Sequence, residues 1–235
     1  MIGRHLADVL TDVLKDQVTD PAWLGDARWQ VAQNPDAVVM LFPAVGRRCG
    51  RGPLAEAGPH LAGWSVDDAA RVLLLTALPL RGAALARLVA ALYWQGGAAE
   101  KRAVLRALSG LDTRSGAADL PHGLDIGSAA VELLHDAIRT NDPRLVAAAV
   151  GPAARRLDDG MWRQAVLKCV FMEIPLTAVA DLDRRADSEL ARMLADLDDE
   201  RRAAGRALPD DATVLLALIG DPEWARSEEH KEKTV

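Results

Sequence analysis

The sequence predicts an all-α protein, and three observations carry the prediction. Ala, Leu and Arg are abundant in the 235 residues while aromatic residues make up only 4%, a balance that favours helix over strand. Apolar residues recur at three- and four-residue spacing, which places them on one face of a helix. Residues that start and stop helices punctuate the chain at short intervals. One run, Val38-Val-Met-Leu-Phe42 between Pro35 and Pro43, has the composition of a buried strand. No second run is available to pair with it, so it too is assigned to helix.

The elements follow in order. Leu6, Val9, Leu10, Val13 and Leu14 share one face of a first helix over 3–17. Asp20-Pro21 supplies an N-cap and a proline at the first helical position, where a missing N–H is harmless, and starts a helix running to Asn34. Pro35 opens a third that ends near Pro43, and the glycine-rich stretch 46–63 predicts a long loop. Ser65 caps a helix whose Asp67 and Asp68 complement the positive end of its dipole, and Pro79 stops it. Helices over 82–95 and 98–108 follow, separated by Gly96-Gly97. Turns this short predict that each of these three helices runs antiparallel to its neighbour. After a second loop over 109–127, a helix runs from Ile126 to Thr140 and another starts at Asp142-Pro143. Asp158 or Asp159 opens the next, Pro175 a short turn, and Asp187 caps a long helix that stops at Gly205. Pro209-Asp210 opens the last, to Ile219. About ten helices in antiparallel pairs predict either an α-solenoid resembling HEAT repeats or an irregular helical bundle. The expected organisation is one helical domain over 1–225 and a charged, fraying tail over 226–235.

Composition excludes several functions. Two cysteines cannot build a disulfide scaffold or a Cys-rich zinc site. No apolar run approaches the ~18–20 residues that span a bilayer, and Met1 to Asp20 has no signal-peptide core. A formal net charge of −6 argues against a nucleic-acid partner. The expectation is a cytoplasmic protein without a membrane span. Dinucleotide, P-loop, His-Glu-x-x-His and Gly-x-Ser-x-Gly signatures are all missing from the sequence. The residues therefore imply no cofactor, no bound metal and no catalytic group that can be named.

What remains are constellations of polar residues. His60 and His122 adjoin prolines and read as turn residues, while His135, followed by Asp136 in a helix, is a general base or an ordinary helix histidine. Cys49 lies among Arg47, Arg48 and Arg51, whose guanidiniums would lower a thiol pKa and attract an anion. Cys169 reads as a small buried apolar residue. Asp181 and Asp183 form a weak hard-cation pair. The densest group is Gln164 and Lys168 on one helix with Asp183, Arg185, Glu189 and Arg192 on the next segment. Facing each other across two helices, these six would line a small-molecule pocket. Capped by Asp187, the same helix would instead pair Glu189, Arg192 and Asp196 along its surface.

The run Met161-Trp-Arg-Gln-Ala-Val-Leu-Lys-Cys-Val-Phe-Met-Glu-Ile-Pro-Leu, then Leu182-Asp-Arg-Arg-Ala-Asp-Ser-Glu-Leu-Ala-Arg-Met-Leu, then Glu200-Arg-Arg-Ala-Ala-Gly-Arg, resembles the EboA family. Trp162, Gln164, Lys168, Pro175, Leu176, Asp183, Arg185, Glu189, Arg192 and Glu200 fall where the family pattern has the same residue. Arg163, Thr177 and Asp199 depart from it, replacing an Asn and two His. The resemblance implies a helical protein encoded with a UbiA-like membrane prenyltransferase, a TatD-like metal hydrolase and a sugar-phosphate cyclase. It implies a bacterial operon that makes or moves a secondary-metabolite precursor. Two functions follow: a non-catalytic accessory or scaffold protein that binds those enzymes or their metabolite, or an enzyme acting on a sugar-phosphate-derived or prenylated intermediate in the polar inter-helix pocket.

Overall fold

The computed structural model describes residues 2–55, 58, 61–112 and 126–220. The tail expected over 226–235 lies outside them, as do His60, His122 and His230. Among the described residues there are twelve α-helices and no strand, only an isolated bridge between Pro53 and Ser65. The fold is all-α. The helices are α1 (Ile2–Leu14), α2 (Pro21–Gln33), α3 (Val38–Arg48), α4 (Val66–Ala77), α5 (Gly82–Gln95), α6 (Ala98–Asp112), α7 (Ile126–Arg139), α8 (Pro143–Ala149), α9 (Asp159–Phe171), α10 (Leu182–Arg185), α11 (Ser188–Ala203) and α12 (Asp210–Ile219). The chain divides into two compact units, Met1–Ala137 and Ile138–Val235.

In the first unit α4 is the centre, packed by α1, α2, α3 and α6. Every residue from Val66 to Leu75 is buried, including Asp67, Asp68 and Arg71. Buried charges are tolerated only when paired and hydrogen-bonded, and here each is. Arg71 pairs with Asp67 at 2.5 Å and with Glu100 of α6 at 2.6 Å, and its Nε donates to the Phe42 carbonyl of α3 at 3.1 Å. Asp68 accepts from Arg102 at 2.8 Å and from Arg106, and also from the Ser65 N–H at 3.0 Å. Asp68, nearer the start of α4, pairs with Arg102 and Arg106, whereas Arg71, a turn further on, pairs with Glu100 in the first turn of α6, so the two helices run in opposite directions. Short turns had predicted that α4 and α6, each antiparallel to α5, would share a direction. The charges on α4 decide otherwise, because their partners lie on α6.

A second difference concerns α3. The stretch from Gly46 was expected in a loop, but the helix continues through Pro43 to Arg48. A proline inside a helix frees the carbonyl four residues earlier. That carbonyl belongs to Val39, a residue on the exposed side of α3.

In the second unit the side chains of Asp158 and Asp187 cap α9 and α11, accepting from the backbone N–H groups of Met161 at 2.7 Å and Leu190 at 2.9 Å. One stripe of α9, Trp162, Ala165, Val166, Cys169 and Val170, is buried. Near the start of α9, Arg163 donates from Nε to both Asp187 oxygens at 3.0 Å. Past its end, Glu173 meets Arg201 in the last turn of α11 at 3.6 Å. The two helices therefore lie side by side in the same direction, joined through the 3-10 turn Leu176–Ala178 and α10. Parallel helices bring like dipole ends together. The carboxylates of Asp158 and Asp187 sit at the positive ends, and Lys168, Arg201 and Arg202 lie in the last turns.

The α4 network gives a stability prediction. Arg71→Leu leaves Asp67 and Glu100 facing each other without a cation, and should destabilise the first unit by roughly 3–5 kcal/mol. In urea unfolding, adding Asp67→Leu to that variant should recover part of the loss. If Arg71→Leu unfolds at the wild-type midpoint, the network does not hold α4.

Candidate functional site

The second unit carries an open groove of about 420 Å³ between α9 and α11. Gln164, Leu167, Lys168 and Phe171 line it from α9, at the i, i+3, i+4, i+7 spacing of one helical stripe. This stripe is separate from the buried one, so α9 uses one face for the core and another for the groove. Arg192, Met193, Asp196, Leu197 and Glu200 form the facing wall on α11. Leu167, Phe171, Met193 and Leu197 give the groove an apolar surface, and Phe171 is 61% exposed.

Of the six residues predicted from sequence, Gln164, Lys168 and Arg192 meet in this groove. The other three do not line it. Arg185 donates to the carbonyls of Ala154 at 3.1 Å and Leu157 at 2.9 Å, pairs with Asp159 at 2.6 Å, and lies over the Trp162 ring at 4.8 Å. It fastens α10 to the start of α9. Asp183 is exposed on α10. Glu189 pairs with Arg192 on the α11 surface at 2.8 Å, and Arg192 reaches Asp196 at 2.7 Å on its other side, the surface ladder that an Asp187 cap predicts. Glu200 joins the groove although the composition of its segment gave no reason to single it out. Its match to the family pattern and the four-residue step from Asp196 were the available signals.

The groove's charges are unequally committed. All Arg192 nitrogens donate to Glu189 or Asp196. Lys168 donates only to Asn141 Oδ1 at 3.2 Å, and no carboxylate lies within ion-pairing distance of it among the described residues. Gln164, one turn earlier, lines the groove as an exposed residue.

The remaining candidates lie elsewhere. Arg47 and Arg48 stand in the last turn of α3, where cations complement the carbonyl end of the helix. Arg48 reaches Asp20 at 3.7 Å. Arg51 lies over buried Gly46, where a Cβ would stand 2.8 Å from its Nε. The arginines do not activate Cys49. It is fully buried, and burial followed by the charge of Asp20 pushes its thiol up to about 11, overriding the lowering by Arg71. Cys169 is likewise pushed up by burial to about 12. His135 has a buried Nε2 without a hydrogen-bond partner, and the neighbouring Asp136 is engaged by Tyr93 at 2.8 Å and Lys101 at 3.3 Å. Asp181, half of the weak hard-cation pair, accepts from Arg155 with both carboxylate oxygens. No group of residues suited to a metal ion occurs among the described residues.

The Arg163–Asp187 pair that ties the starts of α9 and α11 is sensitive to acid. Burial raises the Asp187 carboxyl, but Arg163 and the Leu190 N–H outweigh it and hold the group below the usual carboxylate range. Arg155 lowers Asp181 in the same sense. A carboxyl depressed on folding contributes stability above its unfolded pKa, roughly 4, and loses it as pH falls through the folded value. Urea unfolding followed on α9 and α11 amide resonances should have a constant midpoint from neutral pH to about 5 and a falling one below about 4. Asp187→Asn, which keeps the cap but not the charge, should flatten the fall. An equally steep fall in that variant would remove Asp187 as its source.

Neither a curated protein nor a solved structure matches this chain. A family model does, over residues 6–216, a span that includes the groove and both helices that form it. The chain belongs to the EboA family, described as metabolite traffic protein EboA.

Proposed function

We propose that this protein is a non-catalytic accessory component of a bacterial secondary-metabolite pathway, and that it binds the metabolite in the α9–α11 groove. The observation that carries the reading is the groove's composition: an apolar surface with an exposed aromatic ring, flanked by free donors on α9 and ion-paired groups on α11. Pockets of about 300–1,000 Å³ with that mix suit small molecules. The family description, metabolite traffic, agrees with reversible binding. Gln164, Lys168, Arg192 and Glu200, four of the positions on which the family resemblance rests, all line the groove.

We further propose that the protein works in the cytoplasm beside the UbiA-like prenyltransferase, the sugar-phosphate cyclase and the TatD-like hydrolase, receiving the metabolite from one and delivering it to another. No helix among the described residues is long and apolar enough to cross a membrane. The enzyme reading draws less support, because the pocket it needs would include Asp183, Arg185 and Glu189. Arg185 is committed to α9 and the 152–157 turn, and Glu189 to Arg192.

Mass spectrometry of small molecules released from the protein purified out of its own host tests the proposal. The wild type should carry a pathway metabolite that a folded Leu197→Arg variant, with the groove filled by a charged side chain, lacks. The same metabolite in equal amount on both proteins would contradict it.

A further inference from the structure

We infer that the groove takes a monoanionic amphiphile, its acidic group at Gln164 and Lys168 and its apolar body along Phe171, Met193 and Leu197; this rests on the groove being the binding site. Gln164 and Lys168 stand one helical turn apart on the same face of α9. An amide N–H and an ammonium at that spacing can donate together to one carboxylate, sulfonate or phosphate-type oxyanion. Lys168 has one acceptor, Asn141, which leaves two of its three donors for a ligand. It is the lining cation that no carboxylate neutralises among the described residues, since Arg192 is held by Glu189 and Asp196.

The opposite wall limits the ligand to a single acid. Glu200 has no ion-pair partner among the described residues and lines the groove together with Phe171. An acidic group beside it would meet like charge, whereas a hydroxyl or amine would find an acceptor. Between the polar groups the surface is thioether, aliphatic and aromatic, contributed by Met193, Leu167, Leu197 and Phe171. Such a surface favours a flat apolar body and gives a free sugar phosphate little to bury.

Two fluorescent dyes of nearly the same apolar shape separate the claims: anilinonaphthalene sulfonate, which carries one anionic group, and phenylnaphthylamine, which carries none. Each is titrated into the full-length wild type and into Lys168→Met and Phe171→Ser variants whose folding is checked by circular dichroism. The wild type should bind the sulfonate more tightly. Lys168→Met should weaken the sulfonate by about tenfold, the loss of one charge-assisted contact, and leave the neutral dye within about twofold. Phe171→Ser should weaken both. If Phe171→Ser weakens both dyes while Lys168→Met leaves the sulfonate unchanged or weakens both alike, the groove binds apolar ligands but the anion assignment is overturned. If Phe171→Ser alters neither dye, the groove itself is not the site and the inference falls with it.

Discussion

Two helices that run side by side in the same direction set their like dipole ends against each other, and the Arg163–Asp187 pair is where the second unit overcomes that repulsion. Asp187 does two things at once. Its carboxylate caps α11 through the Leu190 N–H and receives the guanidinium that projects from α9. Arg185 reinforces the junction by stacking on Trp162 and bonding to carbonyls at the approach to α9. With both helices fixed at this end and Glu173 near Arg201 at the other, α9 turns one stripe to the core and presents a second to α11. The groove is the space between that second stripe and the α11 wall. Its shape follows from how the helix ends are tied, and its chemistry from which side chains the helical repeat leaves on the open face.

The first unit meets a related constraint by different means. A helix buried all round is normally apolar all round, yet α4 carries Asp67, Asp68 and Arg71 within its first turns. Removing such groups from water is tolerable only because α6 supplies Glu100, Arg102 and Arg106, Ser65 supplies a hydroxyl and α3 a carbonyl. The network ties three helices and the loop before α4 to one another. A buried ion-pair set of this kind adds little to stability compared with apolar residues of similar volume, but breaking one partner is severe. It specifies which helix packs against which.

Much of this was legible in the sequence wherever the cause is local. Capping residues, Pro at first helical positions and three-to-four periodicity act within a few residues, so Asp20, Ser65, Asp142, Asp158 and Asp187 mark true helix starts. What failed depended on distant partners. Asp67 and Asp68 read as dipole-complementing acids, because nothing local announces that Arg71 and α6 enclose them. The arginines around Cys49 read as activating, but burial dominates and pushes the thiol up. Pro43 read as a stop, although α3 continues through it to Arg48. At the candidate site, charge density singled out Gln164, Lys168 and Arg192, which meet, and also Asp183, Arg185 and Glu189, which do not. Density along the chain does not separate a guanidinium that fastens two elements from one that faces a groove. The apolar lining was overlooked because Leu167, Phe171, Met193 and Leu197 resemble core residues until the second stripe of α9 is seen to be open.

A surface that combines an exposed aromatic ring, a paired charge ladder and a lysine that pairs with no carboxylate among the described residues has the makings of reversible recognition, which is what a protein of metabolite traffic requires. The most direct measurement is a backbone amide chemical-shift map of the isotopically labelled full chain, titrated with anilinonaphthalene sulfonate. The account predicts perturbations concentrated in 164–171 and 192–200. Perturbations confined to Met1–Ala137, with those two segments unmoved, would contradict it.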